Sequence, residues 1–426
     1  MFCGDSVVRV LRYLGYDVAH VRNYTDVGHL TSDADTGEDK MAKGARRENL
    51  SPIEIANKYI SIFEHDTAAI NLSEPTVKPR ATEYVEEMIG MVEVLLEKGY
   101  AYATDLAIYF DVSKAKDYTV LSGQNLEELI DGAGTGEITD SQKRNQIDFV
   151  LWFFKAGTHK NTLQYWKSPF TSPLVENGEG FPGWHIECSA MSKKNLGETI
   201  DLHMGGVEHI PIHHPNEIAQ SESANGCQFV RYWIHNEHLL VNDRKMAKSE
   251  GTGIIVAEIE ERGIDPLALR YFFLQAHYRS KQNFTWEALQ GAAQGLERLR
   301  GRVRAVAGEK GSVSDAYKER FDAAIADDFN VPEAFAITHE LLKSDLSKKD
   351  KYATVISFDE VLGLQLADLR EEAEEEAPAE VQKLLQEREQ LRAHKQFIQA
   401  DAIRDKIEQL GYEVYDTGDG AKVKKK

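Results

Sequence analysis

Lys245-Met246-Ala247-Lys248-Ser249 follows an apolar segment that runs from Trp233-Ile234-His235 to Leu239-Leu240-Val241, and it precedes Glu250-Gly251-Thr252-Gly253. Two lysines three residues apart on a loop loosened by glycines can close over a polyphosphate as two compact point charges. Standing alone, K-x-x-K describes many solvated surface pairs. Lys40-Met41-Ala42-Lys43-Gly44 nearly repeats it, but lies in a charged stretch with no strand-like run before it, and reads as a surface segment. Neighbourhood separates the two.

Upstream of Lys245, Cys188 lies in Gly183-Trp184-His185-Ile186-Glu187-Cys188-Ser189-Ala190-Met191, and His213, His214 and Glu217 lie in His209-Ile210-Pro211-Ile212-His213-His214-Pro215-Asn216-Glu217. Pro215 suits a first helical position, where its missing N–H costs nothing. His213 and Glu217 are then four apart on an early turn and can reach one point. A thiolate, an imidazole and a carboxylate match the ligand set of zinc. Without context, an i,i+4 His/Glu pair is usually surface and a lone Cys is usually core. Gly205-Gly206 with Glu208 beyond, after Asp201-Leu202-His203, suggests a strand edge where backbone approaches a ligand. Cys227 has no evident partner and reads as packed; Trp152 and Trp233 read as core residues.

The chain's 426 residues are ample for two to four domains, and 42% hydrophobic with 28% charged residues is ordinarily globular. A formal charge of −20 argues against polyanion binding over the whole surface but leaves room for a local basic patch. No apolar run approaches the roughly 18 residues of a membrane span, and Met1-Phe2-Cys3-Gly4-Asp5 does not read as a secretory signal. Three cysteines fit a reducing cytoplasm better than a disulfide framework.

Helical spacing from Asp5 to Tyr16 is followed by a strand-like Asp17-Val18-Ala19-His20-Val21, a fragment of a βαβ unit without its leading strand. Asp33 to Asp39 superficially resembles a calcium loop, but its glycine falls one position early and no glutamate stands twelfth, so it reads as a solvated loop. Glu83 to Lys98 predicts an amphipathic helix closed by Gly99, and Tyr100 to Val112 predicts strands. Leu126 to Asn145 is polar and turn-rich. Beyond Asp265 the pattern is almost wholly helical, interrupted by the acidic run Arg370 to Pro378, and the chain ends in Lys422-Val423-Lys424-Lys425-Lys426.

Together these segments resemble cysteinyl-tRNA synthetases, a family of class I aminoacyl-tRNA synthetases. The ordered matches are Leu11 to Tyr16, Thr25-Asp26-Val27, Asp148 to Trp152, Gly183 to Met191, His213 to Glu222, Lys245 to Ser249, Arg270 to Leu274 and His277-Tyr278-Arg279. The resemblance implies an α/β fold: a Rossmann-like catalytic domain (1–30 and 146–256, its first strand missing), an inserted α/β connective region (31–145), a helical bundle (257–370) and a small anticodon-binding region (371–426). It implies ATP-dependent activation of cysteine to cysteinyl-adenylate and transfer to tRNA(Cys), with Mg2+ accompanying ATP, by a cytoplasmic monomer with no membrane partner. Carried onto this chain, Cys188, His213 and Glu217 are the zinc ligands, and zinc holds the substrate thiol. Thr25, Trp184 and His203 line the amino-acid pocket; Lys245, Lys248 and Glu208 serve ATP. Glu208 stands where the family more often has aspartate, and Ala247 replaces a serine of the lysine loop.

The family also carries an H-I-G-H signature and a further zinc cysteine on a strand before the first helix. Here the helix comes at once; Val27-Gly28-His29-Leu30 follows the wrong strand, and Cys3 leaves no room for the signature. The expectation is little cysteine-dependent ATP–pyrophosphate exchange from residues 1–426 by themselves, from a clipped or fragmentary reading frame or a degenerate, non-catalytic tRNA-binding paralogue. A ligase joining cysteine to an amino sugar shares the core but lacks the tRNA-binding end that Asp401 to Tyr412 resembles. Arg298, Arg300, Arg302 and Arg304 read equally as a tRNA-facing patch or a solvated helix face.

Overall fold

The computed structural model describes residues 1–28, 40–125, 140–245, 253–308, 310–368, 377–394, 396–417 and 420–425. The calcium-like loop, the acidic run 371–376 and Lys248 lie outside the described residues.

Helix α1 (Phe2–Tyr13) buries Val7, Val8 and Val10 together with Asp5, starting and ending three residues before the expected bounds. The next segment departs from expectation: Asp17–Val21 forms no strand. Its backbone instead meets 76–81 through isolated parallel bridges, Val21 with Val77 and Tyr24 with Arg80, because His20, Arg22 and Tyr24 bond to Thr76, Val77 and Pro79. Helices α2 (Lys40–Glu48) and α3 (Pro52–Ala69) follow. Lys40–Gly44 therefore belongs to a helix. A capping box of Ser51 and Glu54, with Pro52 just inside, sets the start of α3.

Helix α4 (Val85–Glu97) packs on a five-stranded antiparallel sheet of β1 (Ala101–Ala103), β2 (Ala107–Phe110), β3 (Phe149–Phe154), β4 (Trp166–Lys167) and β5 (Glu179–Pro182), ordered β1-β2-β3-β5-β4. Every residue of β3 is buried, including Trp152, as its unbroken apolar run predicts. The boundary expected at 146 falls inside this sheet, since β3, β4 and β5 join β1 and β2.

Helix α5 (Trp184–Leu196) leads to β6 (Ile200–Gly206), then α6 (His213–Asn225) to β7 (Val230–Asn236). Strands β6 and β7 pair in parallel from Ile200–Val230 to Gly206–Asn236, joined through helix α6 as a parallel pair requires. Among the described residues the other edge of β6 carries no strand. Strand β8 (Leu239–Val241) pairs antiparallel with β9 (Arg244–Lys245). Helices α7 (Val256–Glu261) and α8 (Leu267–Phe273) then lead to β10 (Gln282–Phe284), which pairs in parallel with β8.

The helical region comprises α9 (Trp286–Arg304), α10 (Asp315–Ala326), α11 (Val331–Lys343) and α12 (Lys348–Leu362). Thr285, Asn330 and Ser347 cap three of these helices through their side chains, and Gly363 ends the last in left-handed conformation. Leu289, Leu296, Leu299, Phe335 and the stacked pair Phe321–Phe358 fill a core that also takes Val10 of α1. Asp328 and Phe329, before α11, both have positive φ (51° and 55°). Arg279 and Tyr278 donate to the Asp328 carboxylate at 2.6 Å each, and His277 Nε2 lies 3.0 Å from its carbonyl oxygen. A hairpin of β11 (Tyr412–Thr417) and β12 (Gly420–Lys425) packs with α13 (Ala379–Ala393) and α14 (Phe397–Gln409) around Val381, Ile403, Ile407 and Val414. No helix among the described residues is long and apolar enough to cross a membrane.

Candidate active site

Cys188 sits on the second turn of α5, and the backbone enters that helix pressed against Val150, so closely that any side chain at Gly183 would collide with the Val150 carbonyl. Helix α6 is locked to α5 by buried polar contacts. Gln220 Nε2 donates to Ser189 Oγ at 2.7 Å and to the His185 carbonyl at 2.5 Å, and Ser221 Oγ to Ser189 Oγ at 2.7 Å. This register faces Cys188 toward Glu217. Helix α6 starts at His213, which puts Pro215 third in the helix and not first; the first turn's N–H groups have no intrahelical acceptor, so proline is still accepted there.

Cys188, His213 and Glu217 bring one donor atom each within 4.8 Å of one another. His213 Nε2 is 2.9 Å from Glu217 Oε1, and His203 Nε2, from β6, is 3.1 Å from Glu217 Oε2. Burial, reinforced by the carboxylates of Glu217 and Glu187, pushes the Cys188 thiol well above its ordinary range. Burial works against ionising Glu217 too, yet the imidazoles of His203 and His213 hold its carboxyl well below the usual carboxylate range. A divalent cation at this point would draw the thiol down to thiolate, so the donor set fits a zinc ion. Cys3 lies in α1 and belongs to no metal-capable group among the described residues.

The expected pocket residues gather around this set. The Trp184 ring lies 4.3 Å from that of His213. Thr25 arrives through Asn23, whose Nδ2 reaches Thr25 Oγ1 at 3.5 Å and Cys188 Sγ at 4.0 Å. His203 packs edge-on against Trp233 at 5.0 Å. Trp233, half-buried, packs against the core cluster of Ile200, Phe229 and Val230 as expected and also borders the histidines of the site. Glu208 stands apart from the metal donors, its carboxylate folded back over Gly206 and 3.6 Å from His238 Nδ1. Lys245 ends β9, opposite Leu240, while Lys248 lies outside the described residues.

Sequence inspection passed over the bracing groups. His185 Nδ1 lies 2.8 Å from His213 Nδ1, and His235 Nε2 lies 2.7 Å from His214 Nδ1. Burial first, with neighbouring histidines, pushes His214 down to about 2 despite Glu217. Their signal was the unusual density of histidines between 185 and 238. Glu187 is fully buried, and among the described residues neither of its carboxylate oxygens has a hydrogen-bond partner. A cavity of about 310 Å³ opens beside His238, walled by Met1, Phe2, Phe273, Tyr278 and Phe329, and the metal donors do not line it.

Residues 1–294 match the family described as "tRNA synthetases class I (C) catalytic domain", and residues 374–423 match "Cysteinyl-tRNA ligase anticodon binding domain". The chain is 44% identical over 420 residues to "Cysteine--tRNA ligase 1" of Burkholderia lata, covering 98% of this chain and 87% of the relative. It is 40% identical to "Cysteine--tRNA ligase" of Treponema denticola, covering 96% and 87%. In fold it is similar to a methionyl-tRNA synthetase of Mycobacterium tuberculosis, solved with methionyl-adenylate (TM-score 0.54, 16% identity, 86% of each chain). With its catalytic and anticodon-binding regions both matched, the chain belongs to the cysteine–tRNA ligase family of class I tRNA synthetases.

Proposed function

We propose that the chain acts as a cysteine–tRNA ligase, joining cysteine to tRNA(Cys) at the expense of ATP. One observation carries the reading: Cys188, His213 and Glu217 converge as a soft-and-nitrogen donor set beneath Trp184, with Asn23 and Thr25 at its side. Zinc held there supplies a contact that a thiol makes and a serine hydroxyl cannot match, so no editing step is required. The residues do the remaining work. Glu217, anchored between His203 and His213, fixes the donor geometry. Trp184 walls off water, and Thr25 offers a hydroxyl to the polar end of the amino acid.

Lys245 and Lys248 meet the phosphates of ATP, with Mg2+ as counter-ion, and stabilise charge as it moves onto pyrophosphate. Glu208, with His238, faces the nucleotide side. The anticodon-binding region supports tRNA as the second substrate over an amino sugar. Of the arginine run, Arg300 is paired with Asp265 and Glu297 at 2.6 and 3.0 Å and Arg304 with Glu297, which favours the β11–β12 end as the basic contact. The site roles, a helical bundle over 257–370, an anticodon-binding region over 371–426 and a cytoplasmic monomer are parts of this proposal.

Ligand binding tests the reading at the Cys188, His213 and Glu217 cluster itself. Calorimetric titration of the zinc-loaded chain is expected to show cysteine binding on the order of 100-fold or more tighter than serine, with the preference lost in His213→Ala. Equal affinities for the two amino acids would overturn the reading.

A further inference from the structure

Between the catalytic and anticodon-binding regions, helices α9 and α11 meet along a seam whose floor is Tyr271 of α8. The tyrosine ring takes the room that Gly295 leaves on α9, since a Cβ there would stand 2.7 Å from the ring and 2.8 Å from its hydroxyl. On the other side it packs edge-on against Phe335 of α11 at 4.9 Å, and its hydroxyl lies 3.5 Å from His339 Nε2. Both helices therefore fix the floor, which ends in two polar groups.

Arg298 and Arg302 stand three and seven residues beyond Gly295, on the same face of α9. Lys343 stands one turn beyond His339 on α11. All three cations are exposed. His339 registers them together: burial first, then Arg302, Lys343 and Arg298, hold its imidazole below the ordinary value. The charge here is unbalanced. Glu297, beside Arg298 in sequence, is engaged by Arg300 and Arg304 at 3.0 and 3.6 Å, and Glu340, beside His339, by Arg320 at 2.6 Å. Among the described residues no carboxylate lies within ion-pairing distance of Arg298, Arg302 or Lys343. Like charges four apart on a helix repel, and a glutamate at either position would relieve them. The chain has 70 acidic residues against 50 basic ones, yet supplies none at this seam.

We infer that the seam binds the phosphate backbone of the tRNA, with Arg298, Arg302 and Lys343 meeting phosphates over the Tyr271–His339 floor. The inference rests on the proposed reading of the chain as a cysteine–tRNA ligase, and it adds a contact separate from the β11–β12 end. A guanidinium takes a phosphate through two parallel N–H donors. Four residues of helix separate the two arginines by about 6 Å along the axis, so the charge is presented as a row, which suits a backbone over a single small anion.

Filter binding of tRNA(Cys) to the full chain over a salt series tests this, alongside the cysteine and serine titrations. Arg298→Ser with Arg302→Ser should make the slope of log K against log salt shallower by about one to two units, and Lys343→Ser by about one. Arg304→Ser with Arg320→Ser removes the same charge from exposed but paired arginines and should leave the slope nearly as in the parent. Circular dichroism checks that each variant is folded. Equal losses from the two arginine pairs would overturn the seam in favour of net charge alone. An unchanged slope in Arg298→Ser with Arg302→Ser, cysteine still preferred over serine, would overturn the seam and spare the ligase reading. Failure of the parent chain to retain tRNA(Cys) would overturn the seam whatever the amino-acid preference. Equal affinities for cysteine and serine, with the slope reduced as expected, would strike the amino-acid reading and leave the seam as an RNA contact.

Discussion

Arg270 Nη2 meets Asp5 Oδ2 at 2.7 Å with both side chains sealed from water, so α1 is tied by charge to α8. Arg9 reaches the same carboxylate oxygen at 2.9 Å, and the Ser73 N–H donates to the other at 2.6 Å. Removing the cation strands a buried charge, so Arg270→Ala should lose about 3–5 kcal/mol in urea unfolding. Arg270→Ala with Asp5→Ala should lose less than the sum. Burial alone would raise the Asp5 pKa, but the two guanidinium groups and the Ser73 N–H hold it below the ordinary range. Its contribution is thus present at neutral pH and lost as pH falls below about 4; the double variant should flatten that acid limb.

Gly363→Ala strikes the same knot from the other side. Its φ is +64°, and an added Cβ would stand 2.7 Å from the Arg270 guanidinium, which is itself immobilised by the Leu362 carbonyl at 2.5 Å. The left-handed conformation costs about 1–2 kcal/mol for a residue with a side chain, and the displaced guanidinium adds to it. Thermal melts should show a drop of several degrees, with no change in Cys188-dependent metal binding.

Glu187 carries the opposite pH signature to Asp5. Burial first, with Asp26 nearby, holds its carboxyl well above the ordinary range. The folded chain keeps a proton that the unfolded chain releases above about pH 4.3, so this residue lowers stability as pH rises toward its folded pKa. Glu187→Gln should flatten that slope and raise Tm more at pH 8 than at pH 5, measured on metal-free protein.

At Gly205 an alanine would press on His214 and on His209 Nδ1, 2.7 Å away. Gly205 lies in extended strand, so the effect is on packing and not on backbone conformation. Gly205→Ala should weaken zinc binding about tenfold in chelator competition, by displacing histidines packed beside His213 and Glu217, and lower Tm modestly through overpacking.

The paired strands β11 and β12 place Lys422 and Lys424 opposite Tyr415 and Glu413. Each phosphate contact contributes a slope of about −0.7 to −0.9 in log K against log salt. Filter binding of tRNA to Lys422→Ser with Lys424→Ser should shift the slope by about one to two units. An unchanged slope would remove this end of the chain from the contact.

The i,i+4 spacing of His213 and Glu217 and the apolar run of β3 were legible because local periodicity determines both. Cys188 stands beside them for its ligand chemistry, and the resemblance then singles the set out, but no local rule brings α5 onto α6. What sequence missed was relational. Asp17–Val21 has strand-like composition, yet a ladder needs a neighbour, and here its backbone found only isolated bridges to 77 and 80. Trp233 packs against the Ile200, Phe229 and Val230 core as its apolar neighbours implied, but its contacts with His203 and His214 arise only once β6, β7 and α6 meet. His185 and His235 brace the site from elements that meet only in the folded chain, and Arg270 reaches Asp5 across most of the sequence.

The loop at Asp328 and Phe329 implies an order of events in unfolding. Two successive side-chain-bearing residues are held in a left-handed conformation that neither would choose alone, and Arg279, Tyr278 and His277 act as the catch. Such a latch releases its tension when the catch slips. Hydrogen exchange should therefore see the start of α11 open well before the Phe321–Phe358 stack, and Arg279→Gln should hasten that first opening while leaving the last one alone.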